Sequence, residues 1–172
     1  MRLGLYAGLR NQEMCWLKWD AIDWDRRVIS IRTTTCEETG RTWVPKDHEM
    51  RRIDVKPACI EYLVEERERQ EAAGILGPFV IPGGDAKRQG YRARPLTDNV
   101  AQKAFAAMVR EEDMDSAITV YSLRHTYATM GLRSHVDVRT LQRRMGHSKL
   151  STTMEYLHYI EPEEHPMDRL PY

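Results

Sequence analysis

Apolar residues recur at three- and four-residue intervals over most of the chain, which is the spacing of helices that bury one face. Asn11 is a plausible N-cap for the second helix, with Glu13 in its first turn. Thr152 and Glu155 have the spacing of a capping box for the last one. We predict helices over residues 3–7, from Asn11, and over residues 57–73, 97–112, 122–134, 137–145 and 151–159.

Polar and apolar residues alternate over residues 28–32, the pattern of a half-buried strand. Residues 42–44 and 52–55 can pair with this strand through short turns. Residues 77–95 are rich in Gly, Pro and Arg, so we predict mostly loop there, with only residues 79–81 strand-like. The predicted fold class is therefore mainly α with a small antiparallel β-sheet, an α+β arrangement.

The overall charge gives no sign of a nucleic-acid-binding protein, because 26 basic residues balance 26 acidic ones. Within residues 120–150, however, six basic residues face one acid. Such a segment is compatible with one phosphate-facing side, and equally with a solvated helix face. Charge alone leaves these two interpretations open.

Cys15, Cys36 and Cys59 are odd in number and form no CxxC pair, so neither a disulfide framework nor a zinc site is expected. No apolar run reaches the length of a membrane span, and the first residues lack the apolar core of a signal peptide. We therefore expect a cytoplasmic protein with reduced thiols and no membrane partner.

The last third of the chain carries an arginine, a histidine and a tyrosine at Arg124, His147 and Tyr156. Arginine grips phosphate through a planar fork of donors, histidine moves protons, and tyrosine can become an oxygen nucleophile. This trio can attack a phosphodiester without a metal, although each residue type alone is more often structural. A zinc site built from His125, His147 and His158 lacks usable ligand spacing, so no metal is predicted.

Four short motifs occur in a fixed order and carry these residues. They are Ala7-Gly-Leu-Arg10 followed by Glu13, Tyr121-Ser-Leu-Arg124-His-Thr126, Met145-Gly-His147-Ser148, and Thr152-Thr-Met-Glu-Tyr156-Leu-His158. Together they resemble the catalytic domain of the tyrosine recombinases, the phage integrase family of site-specific DNA recombinases. The resemblance covers about residues 3 to 159. A single motif is weak evidence, whereas four in order are strong.

The resemblance implies a role for each matching residue. Arg10 and Arg124 clamp the scissile phosphate and stabilise the transition state. Tyr156 attacks the phosphorus, which gives a 3′-phosphotyrosyl link and a free 5′-hydroxyl. His147 hydrogen-bonds the phosphate or assists proton transfer, and Glu13 supports the first arginine. No metal, ATP or other cofactor is expected.

Members of the family also use a lysine in a β-hairpin turn to protonate the departing 5′ oxygen. Lys46 occupies that place, shortly before the paired basic residues of the next strand. Lys18 and Lys56 are poorer candidates, since one lies beside tryptophans and the other at a helix start. The alternative for Lys46 is an ordinary solvated turn lysine.

Three positions depart from the family pattern, and at one of them Met145 merely replaces another apolar residue. Tyr121 stands where relatives usually have histidine, and a phenol is a poorer proton shuttle near neutral pH. Asp47 places an acid in a turn that is usually close to DNA. We count Tyr121 as a supporting residue of the predicted site.

The expected organisation is a catalytic domain over residues 1–160 and a short extended tail over residues 161–172. Family members carry an N-terminal domain that closes around DNA, and no segment here corresponds to it. Double-stranded DNA is the expected partner. We expect a homo-oligomer on DNA, a tetrameric synapse in the family, and a monomer in isolation.

The leading functional hypothesis is a recombinase of a phage or mobile element that breaks and rejoins DNA. A type IB topoisomerase-like enzyme shares this active-site chemistry and is the second hypothesis. The third is a non-catalytic DNA-binding remnant, supported by Tyr121 and the missing N-terminal domain. The complete set of predicted catalytic residues argues against the remnant.

Overall fold

The computed structural model describes residues 2–48, 50–85 and 90–160. The helices are α1 Leu3–Ala7, α2 Asn11–Cys15, α3 Pro57–Ala72, α4 Asp98–Glu111, α5 Val120–Arg133, α6 Val138–Met145 and α7 Leu150–Met154. Short 3-10 helices span Trp19–Ala21, Lys46–His48 and Glu155–Tyr159. The strands are β1 Ile22–Asp23, β2 Val28–Ile31, β3 Thr34–Thr35, β4 Thr42–Trp43, β5 Arg51–Asp54, β6 Pro82–Asp85 and β7 Gly90–Pro95.

The helices lie where the apolar spacing predicts them, but two predicted caps are wrong. The N-cap of α2 is Arg10, whose backbone is extended and whose N–H donates to the Glu13 carboxylate at 2.8 Å. Asn11 is the first helical residue instead, and its side chain binds Asp98. The last helix begins at Leu150, so Thr152 lies inside it, and the segment ends as a 3-10 helix.

The predicted sheet is only partly correct. β2 pairs antiparallel with β5 and with β1, which the sequence pattern did not indicate. β4 pairs with β3 in a hairpin of its own rather than with β2. The predicted fold class is confirmed, with three small antiparallel sheets among the described residues in place of one.

The prediction of mostly loop over residues 77–95 is wrong, because β6 and β7 form a hairpin there. Gly83 shows why the composition was misleading. A Cβ at this position would come within 2.4 Å of the Pro95 carbonyl oxygen, so glycine permits a close approach of two strands. The predicted tail over residues 161–172 lies outside the described residues.

The core has two parts that meet at helix α5. The larger part packs α1, α2, α3 and α4 around the β1-β2-β5 sheet. The smaller joins Ala128 and Leu132 of α5 to Leu141, Met145 and Tyr156. Since α1 also packs along α5, the first helix lies against the last third of the described chain.

In the described part of the chain, no helix has the length and apolarity needed to cross a membrane. Cys15, Cys36 and Cys59 are buried and free. Burial raises the pKa of the Cys15 and Cys59 thiols to about 12, so both are protonated and unreactive at neutral pH.

We expect Gly8→Ala to destabilise the fold far more than Gly40→Ala. Both glycines have a positive φ, and a residue with a Cβ loses about 1–2 kcal/mol there. Only Gly8 is also crowded, since a Cβ would lie 2.4 Å from Cδ1 of Tyr127. Urea unfolding should show a loss of about 2–4 kcal/mol for Gly8→Ala and about 1 kcal/mol for Gly40→Ala. Equal losses would contradict the packing of Gly8 against Tyr127.

Candidate active site

A buried carboxylate between two arginines organises the first part of the site. Glu13 is 1% exposed, and Arg10 donates to its Oε1 at 2.8 Å. Arg51 donates to both carboxylate oxygens, each at 2.8 Å. Burial works to raise the pKa of Glu13, but the hydrogen bonds and charge of Arg51, with those of Arg10, lower it to about 2. The carboxylate is therefore ionised at neutral pH.

Arg124 connects the two ends of the described chain. Its side chain leaves the middle of α5, is 2% exposed, and donates to the carbonyl oxygens of Gly8 and Met145. Arg10 makes a parallel link by donating to the carbonyl oxygen of Gly146. Burial, and then the positive charge of Arg10, lower the pKa of Arg124 to about 10, so it remains cationic at neutral pH.

His147 follows Gly146, whose positive φ ends α6. Its Nε2 lies 3.0 Å from a guanidinium nitrogen of Arg124. A guanidinium only donates, so Nε2 accepts, and the ring proton lies on Nδ1. Nδ1 donates in turn to Oγ1 of buried Thr153 at 2.8 Å. Burial, and then the charges of Arg124, Arg10 and Arg51, lower the pKa of His147 to about 4. The imidazole is therefore neutral near pH 7.

Tyr156 lies behind this group and is 4% exposed. Its ring is parallel to that of His147, with centroids 6.2 Å apart, and His125 packs edge-on against it. The hydroxyl groups of Tyr156 and Tyr121 are 3.2 Å apart. Burial, and then the hydrogen bond with Tyr121, raise the pKa of Tyr156 above the ordinary range of phenols. In this arrangement Tyr156 is a protonated phenol.

Lys46 begins the 3-10 helix Lys46–His48 between β4 and β5. These strands do not pair with each other, so the predicted hairpin turn is wrong in form, although the lysine lies on the expected segment. Lys46 lines an open cleft of about 770 Å³ together with Arg10, Tyr121, Arg124 and His147. The fold thus brings the predicted residues into one region. Tyr156 does not line the cleft itself, but its hydroxyl contacts that of Tyr121, which does.

Sequence reasoning missed two residues of the site, Arg51 and Thr153. Arg51 binds Glu13 across 38 residues of sequence, a separation that no local pattern reveals. The only signal was that a buried Glu13 would need a second cation. Thr153 was visible as the second threonine of its motif, but its bond to His147 was not. Among the described residues, no cluster of three or more potential ligands could hold a metal.

The model of the phage integrase family matches residues 1–162. This chain belongs to the phage integrase family. It is 31% identical to the tyrosine recombinase XerA of Thermococcus kodakarensis over 155 residues, which cover 87% of this chain and 46% of that protein. It is 38% identical to an integrase/recombinase of Escherichia coli over 91 residues, covering 51% of this chain and 27% of that protein. The chain therefore spans about half the length of the XerA relative and about a quarter of the length of the Escherichia coli integrase/recombinase.

Solved structures show the same fold. The integrase-family chain matches the Tn1549 transposon integrase, solved with a circular intermediate DNA, with a TM-score of 0.74 and 21% identity over 90% of this chain and 51% of that one. It matches the XerA recombinase with a TM-score of 0.73 and 21% identity over 99% of this chain and 57% of that one. The tyrosine-recombinase catalytic fold predicted from the sequence is confirmed.

We expect the imidazole of His147 to carry its proton on Nδ1 at pH 7, because Nε2 accepts a hydrogen bond from Arg124. Nitrogen-15 NMR of the histidine rings measures this directly. Thr153→Val removes the acceptor of the Nδ1 proton and should weaken that tautomer, whereas Thr153→Ser keeps the hydroxyl and should preserve it. Detection of an Nε2 proton in the unmodified protein would disprove the assignment.

Proposed function

We propose that residues 1–160 are the catalytic domain of a site-specific DNA recombinase that cuts and rejoins DNA through a 3′-phosphotyrosyl intermediate. One observation carries the proposal. Four of the predicted residues are far apart in the sequence of this integrase-family chain but meet in one hydrogen-bonded and stacked group: Arg10, Arg124, His147 and Tyr156. If each of these residues had only a structural role of its own, there would be no reason for the four to lie together.

The two arginines suit a phosphodiester. Arg10 donates to Glu13 and to one carbonyl oxygen, and Arg124 donates to two carbonyl oxygens and to His147. Neither guanidinium uses all five of its N–H donors on these contacts. Both line the cleft, where donors fixed in advance stabilise the charge that builds up on the non-bridging oxygens. We assign the binding of the scissile phosphate to this pair.

In the proposed cleavage step, the phenolic oxygen of Tyr156 forms a bond to phosphorus and the bond from phosphorus to the 5′ oxygen breaks. The phenolic proton passes to Nε2 of neutral His147, which becomes free when Arg124 turns its donor to the phosphate, and Lys46 gives a proton to the departing 5′ oxygen. The phosphotyrosyl link keeps the energy of the broken bond. A partner strand's 5′-hydroxyl can therefore reverse the step without ATP or a metal.

The buried, protonated state of Tyr156 implies a rearrangement on DNA. A nucleophile that is 4% exposed and bonded to Tyr121 must turn its hydroxyl towards the cleft before it can reach a phosphorus. Tyr121 is 62% exposed, so it can move without disturbing the core. We assign Tyr121 the supporting role of holding the resting nucleophile.

Membership of the integrase family favours a recombinase over a type IB topoisomerase-like enzyme, which shares the chemistry. The complete set of site residues argues against a non-catalytic remnant. Double-stranded DNA is the proposed substrate, in keeping with the DNA complex of the Tn1549 integrase. Assembly into a homo-oligomer on DNA and location at the cytoplasmic nucleoid stay predictions of the family resemblance.

We expect Tyr156→Phe to abolish covalent capture of DNA. The protein is incubated with nicked duplex carrying its element's crossover site, and the protein–DNA adduct is detected on a denaturing gel. Tyr159→Phe is the matched control, because this tyrosine is on the same 3-10 helix, is 60% exposed, and should leave the adduct intact. An undiminished adduct from Tyr156→Phe would rule out Tyr156 as the nucleophile.

We expect Lys46→Ala to slow cleavage of ordinary DNA by roughly 10²–10⁴-fold, the usual contribution of a general acid. A substrate with sulfur in place of the bridging 5′ oxygen should restore the rate, because a thiolate leaves without a proton. Lys56→Ala is the control and should match the unmodified protein on both substrates. An equal defect of Lys46→Ala on the two substrates would show that Lys46 is not the acid.

A further inference from the structure

Arg51 is the most heavily engaged side chain near the site that the proposed mechanism does not use. It lies at the start of β5, and its side chain is 7% exposed. Both terminal nitrogens donate to Glu13, each at 2.8 Å, in a parallel two-bond arrangement. Its Nε donates to the carbonyl oxygen of Arg144 at 2.8 Å. Every nitrogen of the guanidinium therefore has a fixed partner.

Through Glu13, Arg51 acts on the first phosphate-binding arginine. The Glu13 carboxylate also accepts from the backbone N–H and the side chain of Arg10. A buried carboxylate that accepts from one planar fork has few orientations left. The side chain of Arg10 is 25% exposed, and its Nη1 is held by this carboxylate. Arg51 thereby limits the freedom of the Arg10 guanidinium through an acceptor that the two side chains share.

Arg51 also holds the turn that carries His147. A Cβ at Gly146 would lie 2.9 Å from Nη1 of Arg51, so the guanidinium packs directly on this turn. The bond to the Arg144 carbonyl fixes the end of α6 from the same side. The carbonyl oxygens of Met145 and Gly146, in the same turn, accept from Arg124 and Arg10.

We propose that Arg51 is a positioning residue for the active site, one that sets the orientation of Arg10 through Glu13 and the position of the His147 turn through Arg144 and Gly146. This role presupposes the recombinase function proposed above. Arg51 does not bind the scissile phosphate itself, because it does not line the cleft that Arg10, Lys46 and Arg124 line, and each of its guanidinium nitrogens donates to a protein oxygen. A lysine cannot replace it, since an ammonium lacks the planar fork that bridges Glu13 and Arg144.

The decisive variant is Arg51→Lys, which keeps the charge and removes the fork. Its matched control is Arg52→Lys, because the neighbouring Arg52 is 61% exposed and its one ion pair within the described residues is with Asp23, at 3.8 Å. Each protein is tested for the rate of adduct formation on nicked duplex with an ordinary scissile phosphate. The same measurement is made with a methylphosphonate there, in which a neutral methyl group replaces one charged oxygen. Thermal unfolding is recorded for each variant.

We expect Arg51→Lys to slow adduct formation on the ordinary phosphate by roughly 10–100-fold, the scale of a displaced binding group. On the methylphosphonate the defect should shrink to roughly threefold or less, because a neutral centre depends less on a well-aligned arginine pair. Arg52→Lys should match the unmodified protein on both substrates. A role in folding alone would slow both substrates equally.

Glu13→Gln provides a second variant should Arg51→Lys fail to fold, because it keeps the side-chain volume and weakens the link between the two arginines. It should show the same dependence on substrate charge. Equal slowing on both substrates, or slowing that follows the loss of folded protein, would overturn the positioning role of Arg51 and leave the recombinase proposal standing. Absence of any adduct from the unmodified protein would overturn both.

Discussion

The ion pairs of Glu13 with Arg10 and Arg51 are the interaction on which the rest of the site depends. With Arg124, the group contains three cations and one anion, and this excess of two positive charges is largely buried. Charge removed from water is costly unless it is paired, so such a group favours an incoming anion. The proposed phosphodiester substrate would supply one negative charge in the cleft that Arg10 and Arg124 line.

The same excess of charge explains the states of the two proton-carrying side chains. Burial and the neighbouring arginines hold the pKa of His147 at about 4, so the ring is neutral at pH 7 and its Nε2 accepts from Arg124. Tyr156 is subject to opposite influences. Burial and the Tyr121 hydroxyl raise its pKa, and they outweigh the charge of Arg124, which lowers it. In the proposed mechanism, activation of Tyr156 therefore requires that its contact with Tyr121 breaks. Tyr121 is also the position at which the family resemblance leads us to expect histidine.

The parts of the molecule that sequence reasoning predicted are those set by nearby residues. Arg124, His147 and Tyr156 belong to motifs a few residues long, and α3 is defined by a proline at its start and a glycine beyond its end. The β6-β7 hairpin was missed because Gly83 is required by a contact with Pro95, which only the folded backbone reveals. Arg51 was missed for the same reason, since its partner Glu13 lies 38 residues away in the sequence and is brought close only by folding.

Closure of the site requires contacts between the two ends of the described chain. Arg124 reaches Gly8 across 116 residues of sequence, and Arg10 reaches Gly146 across 136. Local helix formation cannot bring these groups together, so the cleft exists only after α1 has packed along α5. Gly4 allows this approach, since a Cβ there would lie 2.9 Å from Cβ of Leu123. Loosening the α1–α5 contact should therefore separate Arg10 from Arg124 before the two parts of the core unfold, because the two arginines rest on opposite sides of that contact.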